Sequence, residues 1–396
     1  MRKLTLIAVL EAYALFLAWV QSLHGVLTDE AKYLLNIPYP HPPLIRSILS
    51  LTTALSVQEM LWRIVFASLL VQAVWIVWEI GRGLSGEQRF VLGGSWLLSA
   101  ALVLQAGTIM MAPLTALEGL VFVALYVAAE TTSRSRIPRS PFLIGVLWLA
   151  SLFTAFQAVL YLPLVFAMFR KMRVSVMEMI IYIIGPMVLA ALFALAEPLI
   201  LASFVNVGTK DVDVSALGRT INLFRAWSIG GSVLLGLLGT AGILLERRWA
   251  LLGSLLLVCA YVFLSFHFYY AILFLPLFIG GMPAFFHHLW KKPAPLIFPL
   301  IFITGIILAL FPLKLSPSPA RAVARSLPVS GTGVLLINGS FGHEWQYESP
   351  VPVRRFQQSL LPDAEAVVCL TPCEEMTRVD GWKTLAGQSV EVWVRK

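Results

Sequence analysis

One feature constrains this chain more than any other. Long apolar stretches follow one another along most of its length, separated by short loops rich in Lys and Arg. A helix needs roughly 20 apolar residues to cross the hydrocarbon core of a bilayer. Stretches near that length cover residues 4–21, 61–80, 90–107, 111–129, 142–156, 157–169, 176–204, 226–245, 249–266, 268–285 and 295–313. The stretch 142–169 reads either as one long tilted helix or as two short ones. Hydrophobic residues make up 59% of the chain and charged ones 13%, against about 25% charge in soluble domains. The expectation is an all-α polytopic membrane protein with about eleven transmembrane helices.

The loops orient the bundle, because Lys and Arg concentrate on the cytoplasmic side. With the N-terminus inside, the inner loops carry Arg2 and Lys3, Arg82 and Arg89, and Arg134, Arg136 and Arg139. They continue with Arg170, Lys171 and Arg173, Arg247 and Arg248, and Lys291 and Lys292. Basic flanks on both sides of 142–169 require two crossings there. The C-terminus is then extracytoplasmic, and the location implied is the plasma (cytoplasmic) membrane. The net charge of +8 reflects this bias, so no nucleic-acid partner is expected. The first stretch resembles a signal peptide, but no small-x-small cleavage site follows it, and it reads as a retained anchor.

The chain changes character near residue 315. Residues 1–315 read as the transmembrane domain, and 316–396 as a small extracytoplasmic α/β domain. Pro317, Pro319 and the basic stretch to Arg325 read as a linker. Strands are expected at 333–337, 366–370 and 390–394, with a helix at 354–361. Of three cysteines, Cys259 reads as packing. Cys369 and Cys373 are either a disulfide, in an oxidising compartment, or two free thiols. Asn338-Gly339-Ser340 matches the N-glycosylation pattern, which matters only in a host that makes N-glycans.

Two outer loops are long enough to carry chemistry, 22–60 and 205–225. The first reads His24-Gly25-Val26-Leu27-Thr28-Asp29-Glu30-Ala31-Lys32-Tyr33, then His41-Pro42-Pro43-Leu44-Ile45-Arg46. Thr28 is placed to cap a short helix, which puts Asp29, Lys32 and Tyr33 on one face. Pro42 and Pro43 stop any helix, and 44–55 reads as an apolar interfacial helix. The plainer reading is that the acid pair only caps a helix in a watery loop.

The pattern Asp29-Glu30-Ala31-Lys32-Tyr33 followed by His41-Pro42-Pro43-Leu44 resembles the first outer loop of GT-C glycosyltransferases. That class includes the protein O-mannosyltransferases, the lipid A aminoarabinose transferases and the RgtA/B/C/D-like group. Gly81-Arg82-Gly83-Leu84-Ser85-Gly86 is similar to the family's Gly-Arg stretch. Met110-Met111-Ala112-Pro113-Leu114 stands where many members have Thr-Asp-Ala-Pro-Leu, so Met111 replaces the second acid. The spacing from Tyr33 to His41 is short for the family. Thr154, Phe156 and Gln157 stand near the place of a common Lys.

The resemblance implies transfer of a sugar from a polyprenyl-phosphate donor to a lipid, glycan or protein acceptor on the outer face. Asp29 is then the general base, and Glu30 orients the acceptor or a divalent cation such as Mg or Mn. Lys32, His41 and Arg46 are placed to meet the donor phosphate, with Arg219 and Arg225 contributed by the later loop, and Tyr33 contacts sugar or phosphate. For Arg219 and Arg225 a solvated or snorkelling side chain is the plainer reading. His267, with Tyr269 and Tyr270, stands where the family often has a carrier-binding pair, or simply in the aromatic belt. The alternatives are a transporter or flippase, against which no repeat is evident, and an inactive relative that binds lipid-linked glycan or scaffolds a complex.

Acids inside spans are costly and often functional. Glu11, Glu118 and Glu197 qualify, each with a helix–helix polar contact as its other explanation. His287 and His288 read as cytoplasmic surface residues. His343 and Glu344 lie in the C-terminal region with no evident partner.

Overall fold

The computed structural model describes residues 2–38, 41–53, 55, 57–130, 140–200, 214–289, 297–310, 315–327 and 333–395. Arg134, Arg136, Arg139, Lys291, Lys292 and residues 205–213 of the second outer loop lie outside the described residues. The chain divides into two compact units. The first is Met1–Ala18, Pro38–Ile48 and Trp62–Leu313. The second is Trp19–Ile37, Leu49–Leu61 and Lys314–Lys396. The C-terminal region therefore incorporates two pieces of the N-terminal loop region.

Among the described residues, five helices are long and apolar enough to cross a membrane: Lys3–His24, Gln58–Ile80, Met111–Glu130, Val176–Ala196 and Phe268–His288. This is consistent with a membrane protein. A sixth arises if Ala216–Gly231 and Leu234–Leu245 count as one span, but they meet at 90°. The straight helix expected over 226–245 is thus broken. Ser232 and Val233 both take positive φ, 45° and 53°, which is costly for a β-branched residue. Gly230 and Gly231 precede the break and weaken the helix there. Other expected spans form shorter pieces. The 90–107 stretch gives Gly86–Leu97 and Ala100–Gln105, the second started by the Ser99 hydroxyl accepting from the Leu102 N–H at 3.3 Å. The 142–169 stretch gives Pro141–Thr154, an extended Ala155, a 3₁₀ turn Phe156–Tyr161 and a helix Leu162–Lys171. Of the two readings, the pair of short helices forms. Trp249–Leu264 and Ile297–Leu310 complete the unit.

Close backbone approach holds part of this unit together. A Cβ on Gly242 would lie 2.0 Å from the Gly281 carbonyl oxygen, and one on Gly281 2.0 Å from that of Gly239. Small residues permit this contact where lipid offers no hydrophobic drive for association. Several buried polar atoms bond backbone carbonyls of neighbouring segments. Trp96 Nε1 donates to Leu70 O at 2.8 Å, and Tyr161 Oη to Leu273 O at 3.0 Å.

In the second unit a five-stranded sheet has the order β2-β1-β3-β5-β4. The strands are β1 Val334–Asn338, β2 Val353–Arg355, β3 Ala364–Cys369, β4 Trp382–Thr384 and β5 Glu391–Arg395. β1 is parallel to β2 and β3, while β5 is antiparallel to β3 and β4. Alternation along β1, β3 and β5 sends side chains to two faces. Leu335, Ile337, Val368 and Val392 pack with Val323 and Trp345 on one face, and Leu336, Val367, Met376 and Trp382 on the other.

Two expectations need correction here. The helix expected at 354–361 is instead β2 followed by a 3₁₀ turn, Gln358–Asp363, because pairing with β1 overrides local propensity. The linker expected at 316–325 contains a helix, Pro319–Ser326, capped by the Ser318 hydroxyl on Arg321 N–H at 3.2 Å. Cys369 and Cys373 form a disulfide, with Cα atoms 5.8 Å apart. A sheet domain this small gains from such a staple and from the borrowed loop segments.

Candidate functional site

The Asp29-Glu30 segment forms a seven-residue helix, Thr28–Leu34, within the second unit. Its N-cap is Leu27, not Thr28. The cap is supplied from inside the helix: Glu30 Oε2 accepts from the Leu27 N–H at 2.7 Å, one half of a capping box. Glu30 is 1% exposed. Thr28, displaced from the cap position, donates its hydroxyl to the Glu344 carboxylate. Asp29 takes a different direction. Its side chain is 26% exposed and accepts from Lys32 Nζ at 2.9 Å, one helical turn on. Tyr33 is buried, and Lys32 is partly so.

The two adjacent carboxylates therefore do not act together. Residues next to each other on a helix point about 100° apart. One acid is architectural and the other reaches water. This arrangement does not present two carboxylates to one cation, and among the described residues no group of three or more His, Cys, Asp or Glu could hold a metal. With Glu30 turned to its own helix start and Asp29 held by Lys32, the pair does not fit a divalent cation.

A charged knot fixes the segment from below. Arg321, on the capped helix Pro319–Ser326, is 7% exposed. Its Nε donates to both Glu348 oxygens at 3.0 Å. Its other nitrogens reach Glu59 and the Ser22 carbonyl. Glu348 Oε1 also accepts from Val26 N–H at 3.2 Å. Burial, the largest influence on the guanidinium, works to lower its pKa. The Glu348 hydrogen bond and the charges of Glu59 and Glu348 outweigh it and raise it above the ordinary value. Gly25 makes room for the knot. Its φ is +96°, and a Cβ there would fall 2.7 Å from Arg321 Nε and Glu348 Oε1. Sequence reasoning missed Arg321, Glu59 and Glu348. The excess of Arg in a supposed linker was the available signal.

The remaining candidates lie in the first unit. His41 and Arg46 are partly buried, Arg46 on the helix Leu44–Ser50. That helix is shorter than the 44–55 expected. Thr52 Oγ1 donates to the Leu49 carbonyl at 2.9 Å and the chain turns away. Arg219 Nε donates to Val214 O at 3.3 Å, and Arg225 is exposed on the same helix. His267 stacks on Tyr269 at 5.2 Å and meets the edge of Tyr270 at 5.5 Å. Gln157 Nε2 bridges Tyr261 Oη at 2.8 Å and Tyr270 Oη at 3.2 Å.

The acids inside the first unit sort themselves. Glu11 accepts from Ser68 and, at 3.2 Å, from Gln72, a helix–helix contact. Glu118 is partly buried beside Ser151 and Thr154, with Oε2 unpartnered. Glu197 is exposed at a helix end. Arg63, which sequence reasoning passed over, is 1% exposed and donates to Gly107 O at 2.9 Å. It was legible as the one cation in the 61–80 stretch.

No family model matches the chain, and no curated protein or solved structure with which it was compared matches it.

Proposed function

We propose that this protein is an integral membrane glycosyltransferase of the GT-C kind, using a polyprenyl-phosphate-linked sugar and an acceptor at the outer face. The observation that carries the reading is the Asp29–Lys32 pair: a water-reaching carboxylate and a cation, 2.9 Å apart on one short helix. Asp29 takes the acceptor hydroxyl proton as that oxygen attacks the anomeric carbon. The bond from that carbon to the phosphate oxygen breaks, and polyprenyl phosphate leaves with its charge met by Lys32. Glu30 keeps the helix start in place. His41, Arg46, Arg219, Arg225 and His267 stay as proposed donor contacts, carried by the resemblance alone.

The eleven-crossing topology, N-terminus inside and C-terminus outside in the plasma membrane, is part of the proposal. Its support comes from which helix ends meet within the first unit. Glu130, Lys171, Glu246, Arg248 and His288 all belong to expected inner ends. Lys171 meets Glu130 at 2.5 Å, Arg248 meets Glu246 at 2.5 Å and Glu130 at 3.6 Å, and His288 lies 3.8 Å from Glu246. At expected outer ends, Gln157 meets Tyr261 and Tyr270, Arg63 meets Gly107, and Gln105 Nε2 reaches Phe268 O at 3.5 Å. This sorting of ends is what supports counting the short helices as crossings.

A second reading, a transporter or flippase, draws on the break at Ser232-Val233, because interrupted helices are a transporter device. Reconstitution with radiolabelled polyprenyl-phosphate sugars and envelope extract separates the two. Label transferred to an acceptor by wild type, and lost with Asp29→Asn, supports the transferase. Label crossing the vesicle without transfer supports the transporter. Transfer unchanged by Asp29→Asn overturns the base assignment.

A further inference from the structure

The second unit has a crevice that the transfer chemistry above does not use. β1 lies between two parallel neighbours, β2 and β3. The chain leaves β1 for β2 on one side and then returns to β3 on the other, so the strand order reverses between β1 and β3. In parallel sheets, ligands bind outside the carboxyl ends of the strands at such a switch point. Here β1 ends at Asn338 and β3 at Cys369, paired in register. The loops that follow diverge, and a cavity of about 470 Å³ in the second unit opens there. Ser340 and Phe341 line it from the β1 end and Leu370 from the β3 end. The opposite wall is His24 and Thr28, so the cavity borders the residue that precedes Asp29. Glu344 closes it, bonded to Thr28 and accepting from Gly342 N–H at 3.3 Å.

The lining chooses the ligand class. Among the described residues around it, His24 and Glu344 are the ionisable ones, and neither Lys nor Arg contributes. A carboxylate with hydroxyls of Thr28 and Ser340 disfavours phosphate and suits donors such as sugar hydroxyls. Phe341 and the buried Trp345 supply apolar walls. A few convergent polar groups in a largely apolar cavity is the form of a small-molecule site. We infer that this crevice is a binding site for a neutral, hydroxyl-rich saccharide, which on the transferase reading is the acceptor. The word acceptor rests on the transferase reading; saccharide binding does not.

The test is saturation-transfer NMR on the full-length protein in nanodiscs, without donor, with methyl glycosides of the common neutral hexoses and N-acetylhexosamines. At least one glycoside is expected to show transfer that falls fivefold or more in both Ser340→Trp and Leu370→Trp, which fill the cavity from its two rims. The thermal unfolding midpoint, recorded alongside, confirms that each variant is folded. Silence from the whole panel with wild type, or signals undiminished in both folded variants, overturns the inference. Donor turnover is assayed separately: binding without turnover sinks the transferase reading and spares the crevice, and turnover unaffected by the two tryptophans does the reverse.

Discussion

The two units of this protein handle polarity in opposite ways. In the first, polar side chains are dispersed and many bond a neighbouring segment, as Glu11 does with Ser68 and Gln72 and Arg63 with Gly107 O. Its helices meet through close glycine contacts along their length, and its ion pairs sit at helix ends, as Glu130 does with Lys171 and Arg248. The second unit gathers charge into one knot, with Arg321 between Glu59 and Glu348, under the helix that bears Asp29. The difference teaches where each unit is vulnerable. Volume governs the first, and charge pairing governs the second.

The largest expected effect follows from the knot. Arg321→Ala removes the cation between two partly buried carboxylates, a loss of about 3–5 kcal/mol. Hydrogen exchange should show faster exchange across 22–34 and 343–348, with the first unit's helices unchanged. Exchange equally accelerated in both units would break the contrast. The raised guanidinium pKa fixes the sign of the pH response. The stabilisation is complete below arginine's ordinary value and is lost only as pH rises through the still higher folded one. Raising the pH from about 7 to 10 therefore leaves this contribution intact. Gly281→Leu is the converse test. It forces the Gly239 and Gly242 backbone apart, at about 1–3 kcal/mol, and should lower the thermal midpoint of the first unit without touching exchange at the knot. Gly25→Ala, strained by φ +96°, should cost about 1–2 kcal/mol and loosen the Asp29 helix. Thr28→Val, which removes the hydroxyl given to Glu344, should cost about 1 kcal/mol, read as a small rise in exchange at 28–34.

Much of this was legible in the sequence where a long-range partner was not needed. Apolar length marked helices such as Met111–Glu130 because one segment of a bilayer-spanning helix satisfies its own backbone. Strands near β1, β3 and β5 were expected from the sequence. β2 and β4, three residues each, were not, because their pairing partner, not their own pattern, makes them strands. The bend at Ser232-Val233 was hidden for a similar reason: nothing in an apolar run announces positive φ. At the site, the Asp29–Lys32 spacing was readable as one helical turn. The burial of Glu30 was not, because adjacent acids look equivalent until the fold covers one of them. Arg321 reads as a linker residue until Glu59 and Glu348, far away in sequence, arrive beside it.

The central claim is that Asp29 does chemistry while Glu30 does architecture. The direct test is transfer from a polyprenyl-phosphate sugar by the purified protein in nanodiscs, comparing wild type, Asp29→Asn and Glu30→Gln. A positioned general base is worth about 10²–10⁴-fold. The account predicts a loss of that order for Asp29→Asn with the thermal midpoint unchanged. For Glu30→Gln, whose amide oxygen still accepts from Leu27 N–H, it predicts less than about a tenfold loss. Equal losses from both substitutions, or full transfer by Asp29→Asn, would contradict it.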